Sequence, residues 1–429
     1  MSRPLRIAVA GLGTVGGGVV RVLSERADDL AERAGRELVP AVVCARDRRK
    51  RRADWIAAIP WADDPLALAQ SDVDVVVELI GGESGVALDL IKASLEAGKH
   101  VVTANKALLS RHGGELAAVA ERHGVGLRFE AAVAGGIPIV KALRESLGAH
   151  GVGAVRGILN GTCNYILTQM ESTGRSFGDV LADAQRMGFA EADSTLDVGG
   201  GDTAHKLAIL ASLAFGTRPS VELMSITGIA QVTPDDIAFA REFGYRIKLL
   251  GVARMSAEGI DQRVQPAMVK LGTPLADVDG AFNAVVADAG EAGPFFFEGR
   301  GAGEAPTAAA VIADLMDIAR GSVGPAFGRP AANLITPIAA PPGARTSAFY
   351  LRFEAVDRPG VLAEIAGHLA QFEISIESMI QRGRAPGESV AIVMITHECT
   401  SIAVESALNV IAGSDKVLSA PVMIPMEAG

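Results

Sequence analysis

Cysteine is scarce in this chain, and its scarcity excludes two kinds of protein. The 429 residues include three cysteines, Cys44, Cys163 and Cys399, which lie far apart in the sequence. An odd and dispersed set supplies neither the pairs of a secreted disulfide framework nor the close spacing of a zinc cluster. We therefore expect each cysteine to be a small core residue rather than a reactive thiol.

Excess positive charge and long apolar runs are also absent. The chain carries 40 Lys and Arg against 50 Asp and Glu, so its formal net charge is −10. Because there is no basic excess to neutralise phosphates, we do not expect nucleic acid as its main partner. No stretch approaches the roughly 20 apolar residues of a membrane span, and the N-terminal segment enters a predicted strand without a secretory apolar region. We expect a cytoplasmic protein with no membrane partner.

The first third has the pattern of a dinucleotide-binding domain. An apolar strand at 5–10 is followed by the sequence G-L-G-T-V-G, a helix at 17–30 and a second strand at 38–44. In this motif the first glycine permits a tight turn, the second lets the backbone approach a pyrophosphate, and the third allows close packing of helix and strand. The loop residues that we expect to contact a cofactor are Gly11, Leu12, Gly13, Thr14, Val15 and Gly16.

The end of the second predicted strand bears on the choice of cofactor. An NAD site usually has a carboxylate there that binds the ribose 2′-hydroxyl, whereas this chain has the basic sequence A-R-D-R-R-K-R-R at 45–52. Arg46 could bind a 2′-phosphate through a forked, charge-assisted contact, so we predict that NADP(H) is preferred over NAD(H). Asp47 could still serve a 2′-hydroxyl, and residues 49–52 are more simply interpreted as a solvated basic run.

Strands and helices continue to alternate, with further strands predicted at 73–79, 100–103 and 127–130. This order predicts an α/β fold with a doubly wound parallel sheet of the Rossmann type, whose ligand crevice lies at the carboxyl ends of the strands. Thr103 and Lys106 follow such an end. We expect both to contact the cofactor, with Lys106 directed toward the nicotinamide, although a lysine in this position is often merely solvated.

One segment combines an acidic loop with a charged helix start. Glu191, Asp193 and Asp197 lie in the loop, three glycines follow, and a mostly apolar helix begins with Asp202 and Lys206. Residues four apart share one face of a helix, so this carboxylate and this ammonium project together. The arrangement suits an enzyme that handles a small amine-bearing substrate. The alternative is an ordinary surface ion pair, which is common and weak.

Several segments, taken in order, resemble homoserine dehydrogenase over essentially the full length of the chain. The matching segments are G-L-G-T-V-G, V-V-T-A-N-K-A-L-L-S, E-A-A-V-A-G-G-I-P, G-I-L-N-G-T-C-N-Y-I-L, G-F-A-E-A-D-S-T-L-D-V, D-T-A-H-K-L and G-R-G-A-G-E-A-P-T-A. The resemblance implies reversible NAD(P)H-dependent reduction of L-aspartate 4-semialdehyde to L-homoserine, in the biosynthetic branch toward threonine and methionine.

The resemblance also implies roles for individual residues. A hydride delivered to an aldehyde carbon leaves an alkoxide, so the site needs a proton donor and positive charge. Lys206 resembles that donor and Lys106 a second catalytic lysine, and which of them transfers the proton stays open. Asp202 would hold the reacting end of the substrate and orient Lys206. The implied substrate contacts are Glu191, Asp197, Asp202 and Thr162, and two further implied cofactor contacts are Gly188 and Gly303.

A sodium site is implied as well. Glu130, with the backbone carbonyls of Val133, Gly135 and Ile137, resembles the site of the family. A carboxylate followed by a glycine-rich turn supplies the oxygen ligands that a hard cation prefers. An ordinary glutamate between strand and turn is the alternative.

The chain departs from the usual pattern of the family in two places. Ser194 stands where many members have proline, and Gly199 and Gly201 stand where many have a glutamate and a larger residue. We therefore expect a more flexible loop before Asp202. Phe129 replaces a frequent tyrosine, which predicts one polar contact fewer near the cation site.

The C-terminal part has the pattern of a separate module. After a predicted linker at 338–347, strands and helices follow in the order β-α-β-β-α-β, which is ferredoxin-like. The sequence D-R-P-G-V-L at 357–362 resembles the ACT domain, an amino-acid-sensing module that usually pairs across chains. The family implies threonine as an inhibitor that binds near this turn. An ACT domain that only dimerises is the alternative.

These patterns predict four parts. They are an NAD(P)-binding Rossmann domain at 1–136 completed by about 303–337, a catalytic and dimerisation α+β domain at 137–302, the linker at 338–347, and an ACT regulatory domain at 348–429. The expected assembly is a homodimer or homotetramer. Two other functions remain open: a dehydrogenase of another small amino-acid aldehyde, and a non-catalytic dinucleotide-binding sensor, against which the intact Lys106, Asp202 and Lys206 argue.

Overall fold

Parallel strands form the sheet of the N-terminal part, as predicted. The computed structural model describes residues 3–50, 52, 54–188, 190–191, 193–341, 345–382 and 388–427. The strands of this sheet are β1 (Leu5–Ala10), β2 (Leu38–Cys44), β3 (Val75–Glu78), β4 (His100–Thr103) and β5 (Leu127–Arg128). Their order is β2-β1-β3-β4-β5, with every neighbouring pair parallel. The carboxyl ends of β1, β3 and β4 therefore lie at one edge of the sheet.

Helices connect these strands. They are α1 (Thr14–Glu25), α2 (Ala27–Ala34), α3 (Asp54–Ala57), α4 (Val86–Glu96) and α5 (Lys106–Arg122). The prediction of one helix at 17–30 is wrong, because Arg26 leaves helical geometry at φ −119° and separates α1 from α2. Some residues of the predicted segments lie outside the described part of the chain: Arg51, Phe189, Ala192 and 342–344 of the linker.

The central part combines helices with long antiparallel strands. Its helices are α6 (Ile139–Lys141), α7 (Gly161–Thr173), α8 (Phe177–Arg186), α9 (Thr195–Val198), α10 (Gly201–Phe215) and α11 (Pro234–Glu242). Its strands are β6 (Ala154–Ile158), β7 (Ser225–Ile226), β8 (Tyr245–Ser256), β9 (Gly259–Lys270), β10 (Phe282–Asp288) and β11 (Pro294–Arg300). The chain then returns to the N-terminal sheet. Helix α12 (Glu304–Ala319) packs on α1, where Glu304 bonds Arg21 at 2.9 Å, and its Val311 and Leu315 join the same core as Ile7.

The C-terminal part has the predicted β-α-β-β-α-β order. Its elements are β12 (Thr346–Ser347), β13 (Phe349–Val356), α13 (Val361–Gln371), β14 (Ile376–Gln381), β15 (Ser389–Thr396), β16 (Cys399–Thr400), α14 (Ser401–Ile411) and β17 (Val422–Glu427). The sequence predicts the last strand of this order at 417–425, whereas in the structure it begins at Val422. Among the helices that the structure describes, none has the length and apolar character needed to cross a bilayer.

One feature of this arrangement is not predicted by the sequence: the C-terminal strands continue the central sheet. The strand order is β11-β10-β6-β8-β9-β17-β13-β15-β14, with β7 also on β9. Strands β9 and β17 join the two parts through a short parallel pairing at Met268–Met426 and Val269–Glu427. The buried Glu427 carboxylate also bonds Arg254 of β8 at 2.9 Å.

A buried carboxylate fastens the same two parts at a second place. Asp236 of α11 is fully buried, and it accepts hydrogen bonds from Arg352 Nε at 2.7 Å and from the Tyr350 hydroxyl at 3.0 Å, both on β13. The hydroxyl and the N–H of Thr233 also bond this carboxylate and cap α11. A buried charge with this many donors is stable, but it is costly to leave without its cation.

We predict that Arg352→Ala lowers the free energy of unfolding by roughly 3 kcal/mol, because the Asp236 charge stays buried without its cation. Arg382→Ala is the matched control. Arg382 also links the C-terminal part to α11, through an ion pair with Glu242. Its side chain is 67% exposed, so little change in the free energy of unfolding is expected. Chemical denaturation followed by circular dichroism compares the two variants. Equal losses would contradict a special role for the buried contact.

Candidate active site

The two predicted lysines and the predicted aspartate meet in one cleft. Asp202 and Lys206 lie in the first turns of α10, and Lys106 is the first residue of α5, directly after β4. Lys206 Nζ lies 2.7 Å from Asp202 Oδ2, and Lys106 Nζ lies 3.2 Å from Asp202 Oδ1. The carboxylate therefore has one ammonium at each oxygen. The i,i+4 spacing predicts the first contact, whereas the second one joins residues 96 positions apart.

The three charged groups differ in how far they are buried. Asp202 is 6% exposed, the Lys206 side chain 11% and the Lys106 side chain 34%. Burial alone would raise the pKa of Asp202, but the ammonium groups of Lys206 and Lys106 and the amide of Asn160 hold this pKa well below its usual range. Asp202 is therefore a permanent carboxylate, and it provides negative charge between the two cations.

The surroundings of Lys206 leave one of its hydrogen atoms for a ligand. An ammonium has three N–H groups. Two of those of Lys206 are directed to protein oxygens, the Leu159 carbonyl at 2.6 Å and Asp202 Oδ2 at 2.7 Å. Lys206 also lines a cleft of about 590 Å³. Lys206 is thus fixed in place and has one N–H group that can reach a bound molecule.

This cleft, which we call the active-site cleft, collects half of the predicted site residues. Those that line it are Val15, Lys106, Gly135, Thr162, Gly188, Glu191, Asp197, Asp202, Lys206 and Gly303. Two asparagines that the sequence analysis does not single out line it as well, Asn160 and Asn283. Asn160 directly precedes α7, and asparagine is a favoured N-cap, but no helix is predicted at this position.

The glycine motif forms the turn between β1 and α1 at one end of this cleft. Gly11 has φ +98°, and a Cβ there would lie 2.4 Å from the Leu79 carbonyl oxygen. A Cβ on Gly16 would lie 1.8 Å from the oxygen of Gly11. Leu12 is buried in the core, so it offers a cofactor only its main chain, while Thr14 and Gly13 are exposed. This geometry fits the close backbone approach that a pyrophosphate requires.

Thr103 and Arg46 lie outside the active-site cleft. Thr103 is fully buried, and its hydroxyl donates to Glu78 Oε2 at 2.6 Å. Glu78, at the end of β3, also accepts the N–H groups of Ile80 and Gly81 and so shapes the turn beside the glycine motif. Arg46 is exposed and lies two residues beyond Cys44, the last residue of β2. The roles of Thr103 and Arg46 in cofactor binding stay predictions.

The rest of the basic run is not uniformly solvated. The guanidinium of Arg48 lies 5.7 Å from the ring centre of Trp61, and that of Arg52 lies 5.1 Å from it. Arg48 also bonds Asp63 at 3.1 Å, and Arg52 is only half-exposed. Two arginines on one indole ring are a packed arrangement. The interpretation of 49–52 as a solvated run is therefore wrong for Arg52.

The loop that is predicted to bind a cation combines left-handed backbone with a buried carboxylate. Residues Ala134 and Gly135 both have φ 55°, and a Cβ on Gly135 would lie 2.5 Å from the oxygen of Gly301. Glu130 is buried, and its two carboxylate oxygens accept the N–H groups of Val140 at 3.0 Å and Lys141 at 2.8 Å. Burial and the neighbouring Asp314 raise the pKa of Glu130 to about 7. A cation beside it would favour the charged form.

Within the described ranges, no three His, Cys, Asp or Glu side chains are grouped as a metal cluster requires. The predicted site is of another kind, because it has one carboxylate and three main-chain carbonyls. The donors named in the prediction are all oxygens, which a hard cation prefers, and the backbone at Ala134 and Gly135 is left-handed. The carbonyl of Ile137 also accepts the N–H of Ile139 at 2.8 Å.

The departures from the family pattern have local structural reasons. A Cβ on Gly201 would lie 2.7 Å from Leu196 Cδ1, and Gly200 has φ +89°. The segment before Asp202 contains the short helix α9 and a left-handed turn at Gly200, and the expected flexibility of this segment stays a prediction. Phe129 packs on Phe327 with ring centres 5.0 Å apart, so an apolar contact replaces the missing hydroxyl.

Cys163 does not have the features of a nucleophile. It is fully buried at the start of α7, its thiol contacts the Asp197 carbonyl at 3.2 Å, and burial raises the pKa of the thiol far above its usual value. A reactive cysteine needs a stabilised thiolate. Cys44 is buried as well and Cys399 is partly buried, which agrees with the expectation of core residues.

The fold and the site together define a class of protein, a dinucleotide-dependent oxidoreductase with an added ACT domain. Family models match three segments: the homoserine dehydrogenase NAD-binding domain at 11–130, the homoserine dehydrogenase catalytic domain at 138–316 and the ACT domain at 349–412. The chain belongs to the homoserine dehydrogenase family.

Individual relatives agree over the whole length. The chain is 43% identical to a homoserine dehydrogenase of Neisseria gonorrhoeae and 42% identical to one of Pseudomonas aeruginosa, and each comparison covers 99% of both chains. Among solved structures, a homoserine dehydrogenase from Thiobacillus denitrificans has 42% identity and a TM-score of 0.94, again over 99% of both chains. The expected family, the Rossmann-type sheet and the ACT domain are therefore confirmed.

We predict that Gly16→Ala weakens dinucleotide binding at least ~10-fold, because the new methyl group collides with the Gly11 carbonyl and opens the turn. Gly17→Ala is the matched control. A Cβ on Gly17 meets no atom within 4 Å, and alanine favours the helix that contains it. Calorimetric titration with NADP+ and with NAD+ measures both variants. Equal affinities would show that the turn does not hold the dinucleotide.

Proposed function

We propose that this protein catalyses the reversible NAD(P)H-dependent reduction of L-aspartate 4-semialdehyde to L-homoserine, in the biosynthetic branch toward threonine and methionine. The observation that supports it most directly is the pair of ammonium groups on Asp202, at a cleft that the glycine motif reaches through Val15. Positive charge and a proton donor beside a dinucleotide loop are what aldehyde reduction requires.

The dinucleotide, when bound, supplies the hydride. Lys206 is the proposed proton donor to the alkoxide, because Asp202 and the Leu159 carbonyl hold its amine and leave one N–H group for the substrate. Lys106 is the proposed second catalytic lysine, which adds positive charge at the same carboxylate. Asp202 orients both amines and binds the reacting end of the substrate.

The remaining cleft residues are proposed to recognise the amino-acid end of the substrate. Glu191 is an exposed carboxylate at the wall of the cleft, where it can pair with an ammonium. Asp197 in α9 and Thr162 at the start of α7 line the same cleft. Gly188 and Gly303 offer main-chain contacts to the cofactor, since a glycine allows close approach. The proposed domain limits are those predicted from the sequence.

We predict that Lys206→Ala and Lys106→Ala each lower kcat by about 10²–10⁴-fold, because each removes a group that acts on the developing alkoxide. The affinity for dinucleotide is expected to stay within a few-fold. Lys92→Ala, on the exposed face of α4 and paired with Glu115, is the control that keeps full activity. The measurement is nicotinamide absorbance with homoserine as substrate. Near-normal turnover of both variants would overturn the assignment, and a panel of homologous amino alcohols tests the substrate.

A preference for NADP(H) over NAD(H) is proposed to depend on Arg46. We predict a lower KM for NADPH than for NADH. We also predict that Arg46→Ala lowers the ratio of the KM for NADH to the KM for NADPH by about 10-fold, because it removes one strong charge-assisted contact. Arg48→Ala is the control, because Arg48 already pairs with Asp63 and Trp61. Steady-state kinetics with both cofactors gives the ratio. An unchanged ratio would place the recognition of the 2′-phosphate elsewhere.

The other proposed ligands are a monovalent cation and an effector. We propose Na+ at Glu130 and the carbonyls of Val133, Gly135 and Ile137, where it would lower the raised pKa of the buried carboxyl. We propose threonine as a feedback inhibitor at the turn before α13, in a homodimer or homotetramer. The proposed location is the cytoplasm. Assays with and without threonine, and with sodium replaced by a bulkier cation, test these parts separately.

A further inference from the structure

The side-chain amide of Asn160 connects three parts of the active site. Asn160 is 5% exposed, between β6 and α7. Its oxygen accepts the N–H of Cys163 at 2.8 Å and so caps α7. Its nitrogen donates to Asp197 Oδ1 at 2.7 Å and to Asp202 Oδ2 at 2.9 Å. An amide nitrogen has two N–H groups, so each carboxylate receives one of them.

This contact determines where the Asp202 carboxylate points. Asp202 Oδ2 accepts from Asn160 and from Lys206, while Oδ1 faces Lys106. Without the amide, the carboxylate could rotate toward either lysine and would no longer hold both. The cap fixes the amide itself, because its oxygen is bonded to the first turn of a helix of 13 residues.

The amide also separates two negative charges. Asp197 and Asp202 both lie within hydrogen-bond distance of one neutral nitrogen. Burial raises the pKa of Asp197, the amide of Asn160 opposes that shift, and the charge of Asp202 adds to it. The other groups that face Asp197 are Lys206 of α10, Lys106 of α5 and the thiol of Cys163 on α7.

We propose that Asn160 is a positioning residue for the reaction: its amide holds the Asp202 carboxylate between the two lysines and links it to Asp197. Asn160 acts through these two carboxylates and not on the reacting atoms. This inference rests on the proposed function, because it assigns Asp202 and the lysines to the chemistry. The contacts that carry it are independent of which aldehyde is the substrate.

The decisive variant is Asn160→Ser. Serine is about as good an N-cap as asparagine, so the start of α7 is preserved, but its short hydroxyl cannot bridge two carboxylates. We expect kcat with homoserine to fall about 10–100-fold, with the KM for dinucleotide unchanged. Burial already raises the pKa of Asp197 and the amide opposes that shift, so loss of the amide raises the pKa of Asp197 further. The acid limb of the kcat–pH profile therefore moves to higher pH.

Two further variants separate positioning from stability. Asn160→Asp keeps the cap but adds a third carboxylate, so it should lower kcat more than Asn160→Ser. Ser176→Ala removes the N-cap of α8, because the hydroxyl of Ser176 accepts the N–H of Asp179. It should lower the thermal midpoint and leave the pH profile in place. Asn160→Ser should leave the thermal midpoint in place and move the pH profile.

The outcomes distinguish this proposal from the proposed function. If the wild type turns over homoserine and Asn160→Ser matches it in kcat and pH profile, the positioning role is wrong. A fall in kcat with a lowered thermal midpoint and an unmoved acid limb would also overturn it. If the wild type is inactive with homoserine, the function fails, and carboxyl titration of ¹³C-labelled aspartate in wild type and Asn160→Ser still decides whether the amide lowers the pKa of Asp197.

Discussion

The buried carboxylate of Asp202 is the group on which the active site depends. A charge this deeply buried is stable only when cations and hydrogen bonds compensate it, and here Lys106, Lys206 and Asn160 do so. The dependence is mutual, because the two lysines come from α5 and α10, which belong to different parts of the chain. The N-terminal sheet and the central helices are therefore joined at the atoms to which we assign the chemistry.

Close crossings of the main chain explain why glycine surrounds this carboxylate. A Cβ on Gly301 would lie 2.1 Å from Asn283 Oδ1, one on Gly161 would lie 2.7 Å from the Ala281 carbonyl, and Gly135 faces Gly301 in the same way. Segments far apart in sequence can pack here only because they lack side chains. Part of the cleft wall is consequently backbone, and the proposed reactive groups come from two helix starts.

The spacing of residues in the sequence predicts contacts within one helix or turn, but it does not predict contacts between separate elements. The i,i+4 pair of Asp202 and Lys206 and the turn at Gly11 follow from helix geometry and from a known loop. The contact of Lys106 with the same carboxylate depends on how two domains pack, which no periodicity records. Thr103 shows the same limit: its place at a strand end does not predict the hydrogen bond that its buried hydroxyl donates to Glu78.

The same limit applies to the ACT domain, whose internal order is predictable but whose attachment is not. Its strand β17 pairs with β9, β9 pairs with β8, and a Cβ on Gly251 of β8 would lie 3.2 Å from Thr203 Cγ2 on α10. Three steps of main-chain pairing and packing thus lead from the ACT domain to the helix that carries Asp202. A free rotation of this domain would break the pairing at Met426 and the buried contact at Asp236. The proposed inhibition by threonine would therefore have to shift the paired strands together, and with them β8, which packs against α10.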